Sequence, residues 1–165
     1  MIRAYRESDA AELWELKRRF ELDLGAGTED DGTGGTDKAT AYREKLDDDY
    51  RESYLAWVSR CQAEEGRSVQ LAERDADLVG YVFVLPETLA HVWDAAVLNE
   101  LYVDPDYRGG DIVDDLVAEA LTVARAQDLP MDRIVLDVDR ENDRARAVYD
   151  RWGFEHWGEM VARDL

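Results

Sequence analysis

The chain of 165 residues holds one cysteine, two histidines and three lysines. Cys61 has no partner for an internal disulfide and fits a reducing compartment. His91 and His156 belong to no Cys/His group with zinc spacing. No apolar run approaches the ~18 residues that a membrane-spanning helix needs. The opening MIRAYRESD carries charges where a secretory leader would have its apolar stretch. Also missing are a Gly-x-Gly-x-x-Gly after the first strand, a Walker loop and a serine nucleophile elbow. These absences leave a cytoplasmic protein without a membrane partner, and exclude the commonest dinucleotide, P-loop and serine-hydrolase chemistries.

Positive charge is scarce as well. Thirty-nine acidic residues against 20 basic ones give a formal net charge of −19. Lys17, Lys38 and Lys45 are the only lysines, beside seventeen arginines. A field of this sign opposes phosphate neutralisation, so nucleic acid is not an expected partner. A basic partner drawn in by that field is one reading. The acidic residues are spread through every segment, however, which suits a halophilic, salty cytosol better than a dedicated patch. At molar salt the Debye length is about 3 Å and long-range steering vanishes. Asp104/Asp106 and Asp137/Asp139 resemble metal-binding pairs, but so acidic a chain makes such pairs by chance, and no metal is expected.

The length predicts one domain over residues 1–165. Alternation predicts strands over 2–5, 68–73, 78–85, 95–103, 133–138 and 156–163, with a hairpin turn at 74–77. Ser8 or Asp9 can cap a first helix with the apolar face Leu13, Leu16 and Phe20, Glu12 completing a capping box with Asp9. The stretch GAGTEDDGTGGTD over 25–37 reads as a mobile loop, followed by a long helix over 39–64. A helix from 112 to about 126 buries Ile112, Leu116, Val117 and Ala120, and another covers 144–152. This order implies an α/β fold of mixed α+β type. It has one mixed, mostly antiparallel sheet of six to seven strands flanked by about four helices. The strand over 95–103, its helix and the strand over 133–138 form a parallel crossover unit.

Two stretches carry chemistry. The first is LNELYVDPDYRGGDIVDD at 98–115: a strand, a tight turn with one arginine, then the head of an apolar-faced helix. Unpaired amides at the positive end of a helix dipole suit phosphate or pyrophosphate. The second, ENDRARAVYDRWGF at 141–154, is a short amphipathic helix with one tyrosine, closed by Gly153.

Together these stretches resemble the two halves of the acyl-coenzyme A site of the GNAT acetyltransferase superfamily, and the element order resembles that fold over the whole chain. The family's turn has the form Arg/Gln-x-x-Gly-x-Gly/Ala. Here it reads Arg108, Gly109, Gly110, Asp111, Ile112, Val113, with Asp111 in place of the first glycine and Val113 in place of the second small residue. Aspartate is also a strong helix N-cap, which gives Asp111 a structural role. The resemblance implies that this turn binds the acetyl-CoA diphosphate and that backbone amides around Leu101, Tyr102 and Val103 bond the pantetheine arm in a gap between splayed strands. It implies that Asn142 helps hold the cofactor region. Tyr149 would protonate the departing thiolate, a task suited to a phenol of pKa near 10. Glu100 interrupts an apolar strand and is a candidate base for the acceptor amine, or else lies on a solvated strand face or pairs with an arginine; Asp94 and His91 are further candidate bases.

The implied function is N-acetyl transfer from acetyl-CoA to a primary amine, by direct transfer between two bound substrates. The acceptor would be a small-molecule or peptide amine. The alternative is a non-catalytic module of the same fold that binds a ligand or partner. Asp111 and Val113 favour that alternative, whereas Asn142 and Tyr149 favour the enzyme. Homodimers are common among similar proteins, and an exposed Trp157 could serve such an interface.

Overall fold

The computed structural model describes residues 1–26 and 35–163. Its strands are β1 (Ile2–Ala4), β2 (Val69–Arg74), β3 (Asp77–Val84), β4 (Ala96–Val103) and β5 (Ile134–Val135). Its helices are α1 (Ala10–Ala26), α2 (Gly35–Glu44), α3 (Asp48–Glu64), α4 (Ile112–Arg125) and α5 (Asp143–Arg151), with short 3-10 turns at Glu7–Asp9, Glu87–Val92 and Pro105–Tyr107. The strands lie in chain order, β1 to β4 antiparallel and β5 parallel to β4. This is the mixed, mostly antiparallel α/β sheet that the patterning implies, with five strands among the described residues. No described helix is long and apolar enough to cross a membrane.

The sheet separates two cores. Leu71, Tyr81, Phe83 and Tyr102 pack with Leu13 and Leu16 of α1 and Tyr54 and Val58 of α3. On the other face Val82, Val84, Leu98 and Val103 meet Ile112, Leu116, Ala120 and Val123, one stripe of α4 at spacings of three and four. β3 is therefore buried on both sides, as its continuous apolar run requires. Gly80 is obligatory there: a Cβ would lie 2.7 Å from the Tyr102 carbonyl oxygen.

A bulge decides how β4 faces these cores. Phe83 pairs with Glu100, but Val84 pairs with Leu98, so Asn99 is an extra residue. The insertion shifts the alternation by one, and Leu98 comes to share a face with Leu101 and Val103. Glu100 and Tyr102 then point toward α1.

Several boundaries differ from expectation. Asp9 does not start a capping box with Glu12. It closes the preceding 3-10 turn, accepting from the Arg6 amide at 2.8 Å and from both Arg3 terminal nitrogens. The helix over 39–64 is two helices, because Asp47 caps α3 by accepting from the Tyr50 amide at 2.7 Å. The loop over 25–37 falls largely outside the described residues, and its flanks are helical, since α1 reaches Ala26 and α2 starts at Gly35. The strand over 133–138 shortens to Ile134–Val135, and the one over 156–163 does not form. Residues 155–163 are instead exposed, with Trp157 stacked 3.9 Å from the Arg133 guanidinium and Glu159 paired with Arg140. A two-residue β5 offers too short a ladder to pair a further strand.

The β2–β3 connection is a two-residue turn in which Asp75 and Ala76 both take positive φ, 54° and 73°. Such a turn matches the twist of the flanking strands. Its tip reaches the candidate site.

Candidate functional site

The turn at 108–111 lies between the end of β4 and the head of α4. Arg108 is fixed by two bonds, from its Nε to the Val103 carbonyl at 2.7 Å and from its Nη2 to Asp23 of α1 at 2.5 Å. Its guanidinium also lies over the Tyr102 ring. Gly109 has φ +79° with open space where a side chain would be. Asp111 occupies the N-cap position of α4 but makes no side-chain cap bond. The capping role foreseen for Asp111 is therefore not taken up. Among the described residues no side chain caps the first amides of α4, which lie at the positive end of a 14-residue helix. A pocket of about 330 Å³ opens beside them, lined by Arg74 and Asp75 of the hairpin tip and by Tyr107, Arg108, Gly110 and Asp111.

The β4–β5 pairing is short. The β4–β5 ladder consists of Ala96–Ile134 and Val97–Val135 and stops there. Further along, the Asp104 amide bonds Val79 on β3. By antiparallel alternation, the amides of Val103 and Leu101 then point away from β3, to the side on which the β4–β5 ladder has ended. Tyr102 presents its backbone to β3 and its ring to the α1 face.

Asn142 caps α5, accepting from the Ala145 amide at 3.1 Å, a role the sequence reading had not given it. Tyr149 is half-buried two turns later and meets Phe154 edge-on at 5.5 Å between ring centres. Burial pushes its phenol up to about 12, so it stays protonated. α5 is tied to the first turn of α4 through Asp114, which accepts from Arg151 at 2.6 Å and from the Trp152 indole at 2.7 Å. A second tie is Asp23, whose carboxylate bonds Arg108 and lies 3.9 Å from Arg144 of α5. The turn, the strand gap and the tyrosine helix thus form one assembly.

Glu100 points to the α1 and α3 face of the sheet, only 5% exposed. Its Oε1 accepts from Lys17 at 2.6 Å, and its Oε2 accepts from the hydroxyls of both Tyr54 and Tyr81 at 2.8 Å. Lys17 also pairs with Glu21, and both are 3% exposed. Burial alone would lower the Lys17 pKa, but the Glu100 and Glu21 charges outweigh it and the net shift is upward. Tyr54 and Tyr81 are pushed well above the usual tyrosine range, by burial first and the Glu100 charge second. Glu100 is thus half of an ion pair, with lysine as partner. Lys17 and Glu21 escaped the sequence reading, although their spacing from Leu13, Leu16 and Phe20 places them on one stripe. His91 and Asp94 form an exposed pair at 3.4 Å. Among the described residues no group of acidic, histidine or cysteine side chains could hold a metal.

Comparison with known proteins agrees with this fold. The sequence model described as the acetyltransferase (GNAT) family matches residues 36–154. A mycothiol acetyltransferase of Salinispora tropica is 29% identical over 175 residues, covering 93% of this chain and 54% of the relative. The chain spans about half the length of the curated relatives it matches. Among solved structures, the PaiA N-acetyltransferase of Thermoplasma acidophilum in complex with coenzyme A superposes with a TM-score of 0.69 at 23% identity, covering 94% of this chain and 89% of that one. A ribosomal-protein-alanine N-acetyltransferase of Brucella melitensis gives a TM-score of 0.69 at 23% identity, covering 96% and 86%.

Proposed function

The chain belongs to the GNAT acetyltransferase family, and from that premise we propose that it moves an acetyl group from acetyl-CoA to a primary amine while both substrates are bound. The observation that carries this reading is the uncapped head of α4 beside the parting of β4 and β5. Donors without partners at a helix N-terminus fit a diphosphate, and Gly109 and Gly110 let backbone approach it closely. The residues present therefore fit acetyl-CoA, which when bound would supply an activated thioester.

The amides of the 108–113 turn would grip the diphosphate, with Arg108 holding that turn against β4 and α1. The Leu101 and Val103 amides would bond the arm and draw electron density from the acyl carbonyl. Tyr149 would give its proton to the leaving sulfur, and the Asn142 cap keeps α5 in register for that task. Both Glu100 oxygens are taken up by Lys17 and two tyrosines, so the amine proton would leave to water rather than to that carboxylate. Residues 1–165 would form one catalytic domain working in the cytoplasm, with a small-molecule or peptide amine as acceptor.

Titration calorimetry with acetyl-CoA in high KCl tests the reading. Saturable heat supports it. Absence of heat at millimolar cofactor overturns it in favour of a non-catalytic module, the outcome to which the Asp75, Asp106 and Asp111 carboxylates around the pocket would point.

A further inference from the structure

The Glu21 carboxylate is buried beyond what the proposed chemistry needs. One of its oxygens pairs with Lys17, whereas Oε2 makes no hydrogen bond. That oxygen faces the Lys45 ammonium at 2.7 Å, without hydrogen-bond geometry. Lys45 follows the last turn of α2, and its side chain remains 36% exposed. The ammonium lies 4.5 Å from the Tyr42 ring centre and 5.3 Å from that of Tyr50. One buried carboxylate, two aromatic faces and one side open to solvent are the elements of an alkylammonium receptor.

Charge balance points the same way. Behind Lys45, the buried set of Glu21, Glu100 and Lys17 carries two negative charges and one positive. An uncompensated buried carboxylate is costly, so a cation is required at the mouth. Both glutamates contact the single Lys17 ammonium, so the mouth is separated from Glu100, beside the Leu101 amide, by one side chain. We propose that Glu21, Tyr42 and Tyr50 form the docking site for an alkylammonium group of the acceptor, and that Lys45 is its resident occupant, which the acceptor displaces. The inference rests on the amine-acetylating function above and names its substrate class: an aliphatic amine that carries positive charge.

The test needs no acetyl-CoA, so its outcome is separate from that of the cofactor titration. In Lys45→Met the mouth loses its cation, and the variant melts lower than wild type. Butylammonium at several times its Kd should then raise the melting temperature by roughly 2–4 °C. Butanol at equal concentration, or potassium at equal ionic strength, should not. Adding Glu21→Gln to Lys45→Met should abolish the butylammonium effect. A second readout uses the wild-type chain: N,N-dimethylbutylammonium, which cannot be acylated, should speed acylation of Lys45 by an amine-reactive acetyl ester at least threefold, as read by peptide mass spectrometry. Equal responses to butylammonium and butanol, or an unchanged Lys45 acylation rate, would overturn the inference. Either result would leave the acetyltransferase reading intact if acetyl-CoA still binds.

Discussion

The Trp152 indole donates to the Asp114 carboxylate at 2.7 Å, so the last residue before the Gly153 turn is bonded to the first turn of α4. Arg151 adds a charged bond to the same oxygen, and together they hold the Asp114 carboxyl below the usual carboxylate range, Arg151 contributing most. Asp114→Ala should lower stability by about 1–2 kcal/mol. The sign with pH follows from linkage. A depressed carboxyl stabilises the fold above its unfolded pKa, about 3.9, and that contribution disappears as pH falls through the lower folded value. Melting curves of wild type and variant should therefore separate at pH 7 and converge as pH drops through that window.

Glu100 and Lys17 should behave as a coupled pair. Glu100→Ala strands a buried ammonium against Glu21 alone and leaves the Tyr54 and Tyr81 hydroxyls without their acceptor. The expected loss is on the order of 3–5 kcal/mol. Lys17→Met combined with Glu100→Leu should be milder than the sum of the single changes by about 1–3 kcal/mol. Urea unfolding of the four proteins measures this; simple additivity would show that the two groups do not depend on each other.

Tyr149→Phe should reduce turnover by about 100-fold or more, with acetyl-CoA affinity changed less than about threefold. Coupled thiol detection and calorimetry measure the two quantities separately. Equal losses in both would assign the ring to packing against Phe154. Because burial raises the phenol to about 12, wild-type kcat should show no alkaline decline from this group below pH 10. Stability should behave differently. Raised tyrosines hold their protons in the fold while the unfolded chain releases them from about pH 10, so the melting temperature falls as pH climbs above that value.

Two glycines should differ in a defined order. Gly80→Ala drives a methyl group into the Tyr102 carbonyl at 2.7 Å, in the middle of the sheet. Gly109→Ala meets open space and must overcome only its φ of +79°, at about 1 kcal/mol. Thermal melts should rank Gly80→Ala as the more damaging. Acetyl-CoA titration should show the larger affinity loss for Gly109→Ala, whose turn lies at the pocket.

What could be read from the chain, and what could not, divides along physical lines. The α4 stripe of Ile112, Leu116 and Ala120 was legible because helical periodicity and burial agree there. The two-core sheet was legible from the apolar run through β3. Leu98 was not, because the bulge at Asn99 reverses its face, and an insertion in a ladder leaves no compositional mark. The pairing of Lys17 with Glu100 spans 83 positions, and no local rule connects them. Asn142 and Asp111 show the limits of capping arguments in opposite directions. Both precede a helix, yet only Asn142 turns its side chain back to an amide. The turn at 108–113 and Tyr149 are candidates drawn from a family pattern, and the structure adds the ties through Asp23 and Asp114 that link them.

Cys61 is buried in α3, and its thiol is pushed up to about 11 by burial first and the Glu64 charge second. Thiolate is the reactive form of cysteine, so a disulfide reagent added near neutral pH finds almost none. The colour released in a coenzyme A assay would then come from product alone, without a blank from the protein. The same silence is informative when it breaks: a slow rise in reagent signal without substrate would time the opening of α3 from the sheet, making the lone thiol a clock for local unfolding.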